Sequence, residues 1–209
     1  MVEYKNDKVK IFLNELKNVE QIKTGEALKA YFKGLAETLF NKIDILAGND
    51  RYSFAEIEFY YFKKGVFDSE QYQVTYPRTK NVGRLFWHLS GIDICFESDI
   101  KKGYYGGILI RSIVKEDGSL ITGPMCCSDQ LLNSCVQNSP IEPPYIIPIL
   151  IDKDIELNIV PRPTIRQGIK YDKEENALSF CFFVERSSWK NFKRYNYAAR
   201  PDYRNKIFK

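Results

Sequence analysis

The sequence has little of what metal centres and disulfide frameworks require. Among its 209 residues are a single histidine and five cysteines, an odd number, with no Cys-x-x-Cys pair. Zinc sites draw on clustered cysteines and histidines, so we expect no catalytic metal, and nothing in the sequence indicates an organic cofactor. The adjacent Cys126 and Cys127 cannot form an ordinary disulfide without distortion. We therefore expect reduced thiols and a cytoplasmic protein.

Long hydrophobic runs and common catalytic motifs are also missing. No apolar run approaches the length of a membrane span, and the first ten residues are polar, so we expect no membrane association and no signal peptide. Residues Gly103–Gly107 lack the Gly-x-x-x-x-Gly-Lys pattern of a phosphate-binding loop and precede a predicted strand. The Gly-x-Ser-x-Gly elbow of many serine hydrolases is absent, although a Ser-His-Asp arrangement of another kind stays open.

The net charge is small, but it is unevenly distributed. The chain carries +4, which does not by itself indicate nucleic-acid binding. Residues 186–209 contain eight basic residues and one acidic residue, a charge of +7, which leaves −3 for the other 185 residues. A basic end on a slightly acidic body predicts a local contact with an anion, for which Arg194, Arg200 and Arg204 are candidates. The alternative is a solubilising surface tail.

Hydrophobic periodicity predicts an α+β fold. Hydrophobic residues make up 44% of the chain, with 14 Tyr and 14 Phe, enough for a substantial core. Helices are predicted over residues 8–18 and, after a cap at Thr24, over 26 to about 46; within residues 123–133 a turn is predicted to lead into a short helix capped by Ser128 or Asp129. Strands are predicted around residues 54–61, 72–76, 84–97, 103–114, 155–160 and 177–184. We expect one domain, a mostly antiparallel curved sheet with flanking helices, over residues 25–209. Residues 1–24 are predicted to form an N-terminal helical extension.

The segment FAEIEFYY, Phe54–Tyr61, combines a core face with a polar face. Successive side chains of a strand point to opposite sides, so Glu56, Glu58 and Tyr60 are predicted to share one face with Phe54. Two carboxylates so near each other can raise one another's pKa. A carboxylate near aromatic rings whose pKa is raised can act as a general base toward water. The alternative is that both acids face solvent on a half-buried strand.

Aromatic residues elsewhere could complete a site around Glu58. Tyr60, Tyr72 and Trp87 offer flat surfaces for a planar ligand if the chain folds them together. His88, the only histidine, could donate a hydrogen bond to such a ligand or titrate near neutrality, although a lone histidine is more often structural. We expect Tyr60, Tyr72, Trp87 and His88 to line a pocket that has Glu58 at its floor and Glu56 beside it.

Read in order, several segments resemble the methylpurine (3-methyladenine) DNA glycosylase family. AEIEFYY resembles the family's Glu-x-Glu-x-Tyr strand, and GGILIRSI is close to its Val-Leu-Ile-Arg-Ala strand. The other similar segments are LAETLFNK (35–42), GRLFWHLSG (83–91), GPMCCSDQLL (123–132) and RPTIRQGI (162–169). The resemblance spans about residue 35 to the C-terminus and implies the glycosylase fold.

The resemblance also implies a function and roles for individual residues. It implies a DNA glycosylase that hydrolyses the N-glycosidic bond of an alkylated or deaminated purine in DNA. Glu58 matches the general base that activates water, and Tyr60 matches a ring that stacks on the base. Arg111 matches an arginine near the active site, which would help to hold the backbone of the flipped nucleotide. The same carboxylate would stabilise the positive charge that develops on the sugar.

Two departures from the family pattern favour an alternative. Tyr72 stands where the family has a histidine, and Ser90 stands where it has an intercalating tyrosine before the hairpin glycine, Gly91. A serine cannot wedge apart a base step as an aromatic or apolar side chain does. The alternative is a catalytically degenerate protein of the same fold that binds a small planar ligand or a protein partner. In a further alternative, an interaction domain, Glu56 and Glu58 merely face water.

Overall fold

The structure, a computed structural model, describes residues 7–69, 72, 77, 81–137, 147–166, 179–184, 186 and 189–190. Its α-helices are α1 (Asp7–Lys17), α2 (Gly25–Lys42) and α3 (Pro124–Gln137), and a 3-10 helix spans Asn18–Gln21. The strands are β1 (Ile43–Ala47), β2 (Asp50–Lys63), β3 (Leu85–His88), β4 (Gly91–Cys95), β5 (Tyr104–Lys115), β6 (Leu120–Thr122), β7 (Ile149–Asp152), β8 (Arg162–Thr164) and β9 (Cys181–Phe183). Within these residues, no helix is long and apolar enough to cross a membrane.

All nine strands join one sheet that curls into a half-barrel. Its path runs β3-β4-β5-β2-β1-β7, with β6 beside β5 and the β8–β9 pair beside β2, and the paired strands are antiparallel. The longest strands, β2 with 14 residues and β5 with 12, pair along most of their length. The predicted α+β class, with a curved antiparallel sheet and flanking helices, is confirmed.

The first helix belongs to the main hydrophobic core. Asp152 of β7 accepts hydrogen bonds from the backbone N–H groups of Lys8 (3.1 Å) and Val9 (2.9 Å), which satisfies donors that the first turn of α1 would otherwise leave unpaired. Phe12 and Leu16 are fully buried in the same cluster as the apolar residues of β2. The segment predicted as an N-terminal extension therefore packs as part of the domain.

The second helix is shorter than predicted. It begins at the Thr24 cap, whose hydroxyl accepts a hydrogen bond from the N–H of Ala27 at 3.2 Å. It ends at Lys42, whereas the prediction ran to residue 46. Residues 43–47 form β1 instead, because the β-branched Ile43 and its neighbours pair with β2 across the turn at residues 48–49.

Two predictions in the second half of the chain are wrong. Residues 155–160 do not form a strand; the sheet strand in this region is β7, which precedes them. The third helix begins at Pro124 rather than after a Ser128 or Asp129 cap, because proline suits the first position of a helix, where no N–H partner is needed. A strand was also predicted at residues 72–76, of which residues 73–76 lie outside the described residues.

Candidate active site

A β-bulge interrupts the pairing of β2 with β5 beside Glu56. The register shifts on both sides of this residue, which leaves Ala55 of β2 and Arg111 of β5 outside the regular pairs. Phe54 therefore packs in the main core, while Ala55 joins a small separate cluster with Phe183. The prediction that Phe54 shares the carboxylate face is wrong, and the alternation holds only from Glu56 onward.

The bulge also brings two consecutive residues of β5 to one carboxylate. Arg111 Nε lies 3.3 Å from Glu56 Oε1, and the Ser112 hydroxyl donates to Glu56 Oε2 at 3.1 Å. In a regular strand, neighbouring side chains point to opposite faces. Here the extra residue bends the strand and re-aims them, as bulges commonly do beside functional sites.

Arg111 joins the two predicted carboxylates into one buried cluster. Its Nη1 atom lies 3.2 Å from Glu58 Oε2, and the hydroxyl of Tyr60 donates to the same oxygen at 2.7 Å. Glu56 and Glu58 are both completely buried. The alternative in which these acids face water is therefore wrong. A guanidinium between them supplies the countercharge that buried carboxylates require.

Burial makes Glu56 a proton-binding group near neutral pH. The pKa of Glu56 is raised from 4.5 to about 7, mainly because the carboxyl is buried and also because of the nearby charge of Glu58. Arg111 opposes this shift, as do hydrogen bonds from Ser112 and from the Cys181 thiol, whose sulfur lies 3.4 Å from Glu56 Oε1. Burial and the charge of Glu58 also raise the pKa of Tyr60 well above 10, so its hydroxyl stays a donor.

A second arginine, not predicted from the sequence, completes the cluster. Arg166 is fully buried, and its guanidinium lies 4.8 Å from the centroid of the Tyr60 ring and 5.5 Å from that of Phe180. It also donates to the carbonyl oxygen of Phe59 at 3.3 Å, just beyond the pairing of β2 with β9. Arg166 thus holds the Tyr60 ring by a cation–π contact. Arg166 lies in the segment RPTIRQGI, which resembles a family motif, but the sequence of that segment does not distinguish Arg166 from Arg162.

His88 lies on the same sheet face as Glu58 but not beside it. Its Nε2 atom is 3.2 Å from Oδ1 of the buried Asp93, and the N–H of Ser90 donates to its Nδ1 at 3.2 Å. Glu58 pairs with Leu109, which pairs with Asp93, so two strand spacings, about 10 Å, separate the acids.

The other predicted aromatic residues are not brought to Glu58. Trp87 lies on the opposite sheet face from His88, packs against the main core and lines a separate cavity beside α1 and β7. Tyr72 is buried in the core, with its ring centroid 5.1 Å from that of Phe67. The predicted pocket of four rings is therefore not assembled. The basic candidates Arg194, Arg200 and Arg204 lie outside the described residues.

The tip of the β3–β4 hairpin exposes an apolar side chain that was not predicted from the sequence as a functional residue. Leu89 is 84% exposed and directly precedes Ser90, the position at which a wedge was expected. Gly91 ends the tip with φ of 133°, and a Cβ there would lie 2.8 Å from Pro124 at the start of α3. The hairpin tip therefore rests on α3 and presents Leu89 outward.

Neither a scan of protein-family models nor a search of curated proteins finds a match to this chain. Among the described residues, no group of three or more His, Cys, Asp or Glu side chains could hold a metal ion. The function is therefore inferred from the chemistry of the buried cluster.

Proposed function

We propose that the chain is a divergent member of the methylpurine DNA glycosylase-like family, and that it hydrolyses the N-glycosidic bond of alkylated or deaminated purines. The observation that carries this proposal is the buried Glu58, bound at one oxygen by Arg111 and by the half-buried Tyr60. A carboxylate held in a dry site beside a fixed positive charge and under an aromatic ring suits a base that activates a single water.

The chemistry requires one water, one carboxylate and no metal. Glu58 accepts a proton from water while the water oxygen bonds to C1′ of the sugar. The C1′–N bond breaks, and its electron pair leaves with the base. An alkylated purine that carries positive charge leaves neutral, whereas a deaminated purine leaves as an anion and takes a proton from solvent. Positive charge develops on the sugar during this step, so the carboxylate also stabilises the transition state.

Tyr60 and Leu89 provide the contacts that such a substrate needs. Tyr60 is the solvent-facing member of the cluster, and its ring can stack on a base whose C1′ lies near Glu58. Leu89 offers an apolar wedge at the hairpin tip, which answers the difficulty posed by Ser90. Arg111 has a different role from the predicted backbone contact, because its guanidinium already pairs with both carboxylates.

A binding protein without catalysis is the second candidate. The observation that favours it is the complete burial of Glu58, whose Oε2 already accepts two hydrogen bonds. Because Glu58 is completely buried, water reaches its carboxylate only after surrounding side chains move. In that case the same face would hold a planar ligand without hydrolysing it.

Two measurements separate these functions. Duplex and single-stranded oligonucleotides that contain alkylated or deaminated purines are incubated with the protein at high concentration, and released base is quantified. Release that disappears with Glu58→Gln supports the glycosylase; no release, or undiminished release with the variant, contradicts it. Affinity for the oligonucleotides is then measured against salt, and neutralising Arg194, Arg200 and Arg204 together should reduce both the affinity and its salt dependence.

A further inference from the structure

A separate cavity lies beside the first residues of β2, at Arg51, Ser53 and Phe54. It encloses about 300 Å³, within the range of small-molecule sites, and its wall combines apolar side chains, among them Phe40, Phe54, Leu157 and Trp189, with charged ones such as Asp44, Arg51 and Glu116. Phe40 and Phe54 are each only 2% exposed, because both rings pack mainly in the hydrophobic core. The aromatic part of the wall therefore offers a surface for a planar body, and its charged part suits a polar group on that body.

Most of the cations around this cavity have carboxylate partners. Arg51 lies within 3.6 Å of Asp44 and 3.0 Å of Asp154, and Lys115 lies 2.9 Å from Asp50. The acids and bases of these pairs compensate one another, so they leave little charge for a ligand.

Arg186 differs from these cations. It is exposed at the cavity, and no carboxylate among the described residues lies within ion-pair distance of it. Its charge also acts on Lys153, a buried amine that pairs with Asp44 and donates to Ser53 Oγ at 2.7 Å, although this is the smallest of the influences on the pKa of Lys153. Burial lowers the pKa of Lys153, Asp44 opposes this, and the like charges of Arg51 and Arg186 lower it further.

An anion beside Arg186 would relieve this repulsion. The cavity thus combines the aromatic side chains of Phe40, Phe54 and Trp189 with one cation at its mouth that lacks an anionic partner in the described part of the chain. We propose that this cavity binds a small organic monoanion, whose planar apolar body enters between the aromatic walls and whose anionic group pairs with Arg186. This site is separate from the buried acid cluster and does not depend on the function proposed for it.

The test compares 2-naphthoate with the uncharged 2-naphthamide by titration against the full-length protein. We expect naphthoate to bind with a Kd on the order of 0.5 mM, in keeping with its few atoms. Arg186→Gln should weaken naphthoate binding about fivefold and leave naphthamide binding unchanged. Arg84→Gln, which alters an exposed arginine elsewhere, should change neither. Leu157→Trp, which fills the cavity from its half-buried wall, should weaken both ligands.

Three outcomes would overturn the proposal. The first is no binding of naphthoate at 5 mM, roughly ten times the expected Kd. The second is equal loss of naphthoate and naphthamide binding with Arg186→Gln, because the charge would then not matter. The third is binding of naphthoate that Leu157→Trp leaves intact. A short oligonucleotide that binds through Arg186 while naphthoate does not would assign the arginine to a nucleic-acid phosphate instead.

Discussion

Glu56→Gln should remove a large pH dependence from the stability of the protein. The pKa of Glu56 is about 7 in the folded protein against 4.5 for an ordinary glutamate, because the carboxyl is buried beside Glu58. The folded state therefore binds this proton more tightly than the unfolded state does. The resulting stabilisation is fully present below pH 4.5 and is lost as the pH rises through 7.

The size of this effect follows from the difference in pKa. A difference of about 2.5 pKa units at about 1.4 kcal/mol each corresponds to roughly 3 kcal/mol of unfolding free energy. Glutamine resembles the protonated glutamate, since its carbonyl oxygen can still accept from Arg111 while its amide group takes the place of the protonated oxygen and can donate to the Ser112 hydroxyl. The variant should therefore match the wild type near pH 4.5 and be more stable by about 3 kcal/mol at pH 8.

Urea unfolding at several pH values between 4.5 and 8 measures this difference. Other carboxylates also titrate in this range, so the quantity of interest is the wild-type free energy minus that of the variant at each pH. Glu37→Gln, a change to a partly exposed carboxylate on α2, is the matched control and should show a nearly constant difference. A Glu56→Gln difference that stays constant within about 1 kcal/mol from pH 4.5 to 8 would refute the assignment of the proton to Glu56.

Other features of the fold and site lead to further predictions. Gly106→Ala should destabilise the protein by about 3 kcal/mol in urea unfolding, because the added Cβ would lie 2.3 Å from the carbonyl oxygen of Tyr60. Asp152→Ala should cost about 1 kcal/mol in the same assay, because it leaves two N–H groups at the start of α1 without their acceptor. Leu89→Ser should leave stability unchanged but lower affinity for damaged duplex about tenfold relative to the single strand, because it removes the apolar wedge.

Each of these substitutions has a matched control. Gly34→Ala lies on α2 with no atom within 4 Å of the new Cβ and should stabilise the helix by about 0.5–1 kcal/mol. Asp129→Ala changes an exposed acid that caps no helix, and Leu132→Ser changes another exposed leucine away from the hairpin. Equal effects in a test variant and its control would contradict the contact assigned to that residue.

The sequence predicted the parts of the fold that depend on local periodicity. The alternation of β2 from Glu56 to Tyr61 placed the carboxylates and the core residues on opposite faces, because a strand has a period of two residues. The apolar stripe of α2 follows the helical period of 3.6 residues, and the Thr24 cap marks the start of the helix because its hydroxyl satisfies a first-turn N–H group. The pairing of Glu58 with Tyr60 follows from their spacing of two residues on one face.

Features that depend on contacts between distant segments could not be predicted. The bulge at Ala55 and Arg111 arises from pairing between two strands more than 50 residues apart, and no composition signal marks it. Arg166 reaches Tyr60 only after the chain has returned to the edge of β2. Trp87 and Tyr72 joined the core because aromatic side chains stabilise a core as readily as they line a pocket.

The most direct test of the central claim is single-turnover release of a damaged purine from an oligonucleotide. The proposal predicts measurable release by the wild-type protein, at least a hundredfold slower release by Glu58→Gln, and unchanged release by Glu37→Gln. All three proteins should be shown to be folded at the assay pH. Release that survives Glu58→Gln at the wild-type rate, or no release from any alkylated or deaminated purine, would contradict the assignment of Glu58 as the base of a glycosylase.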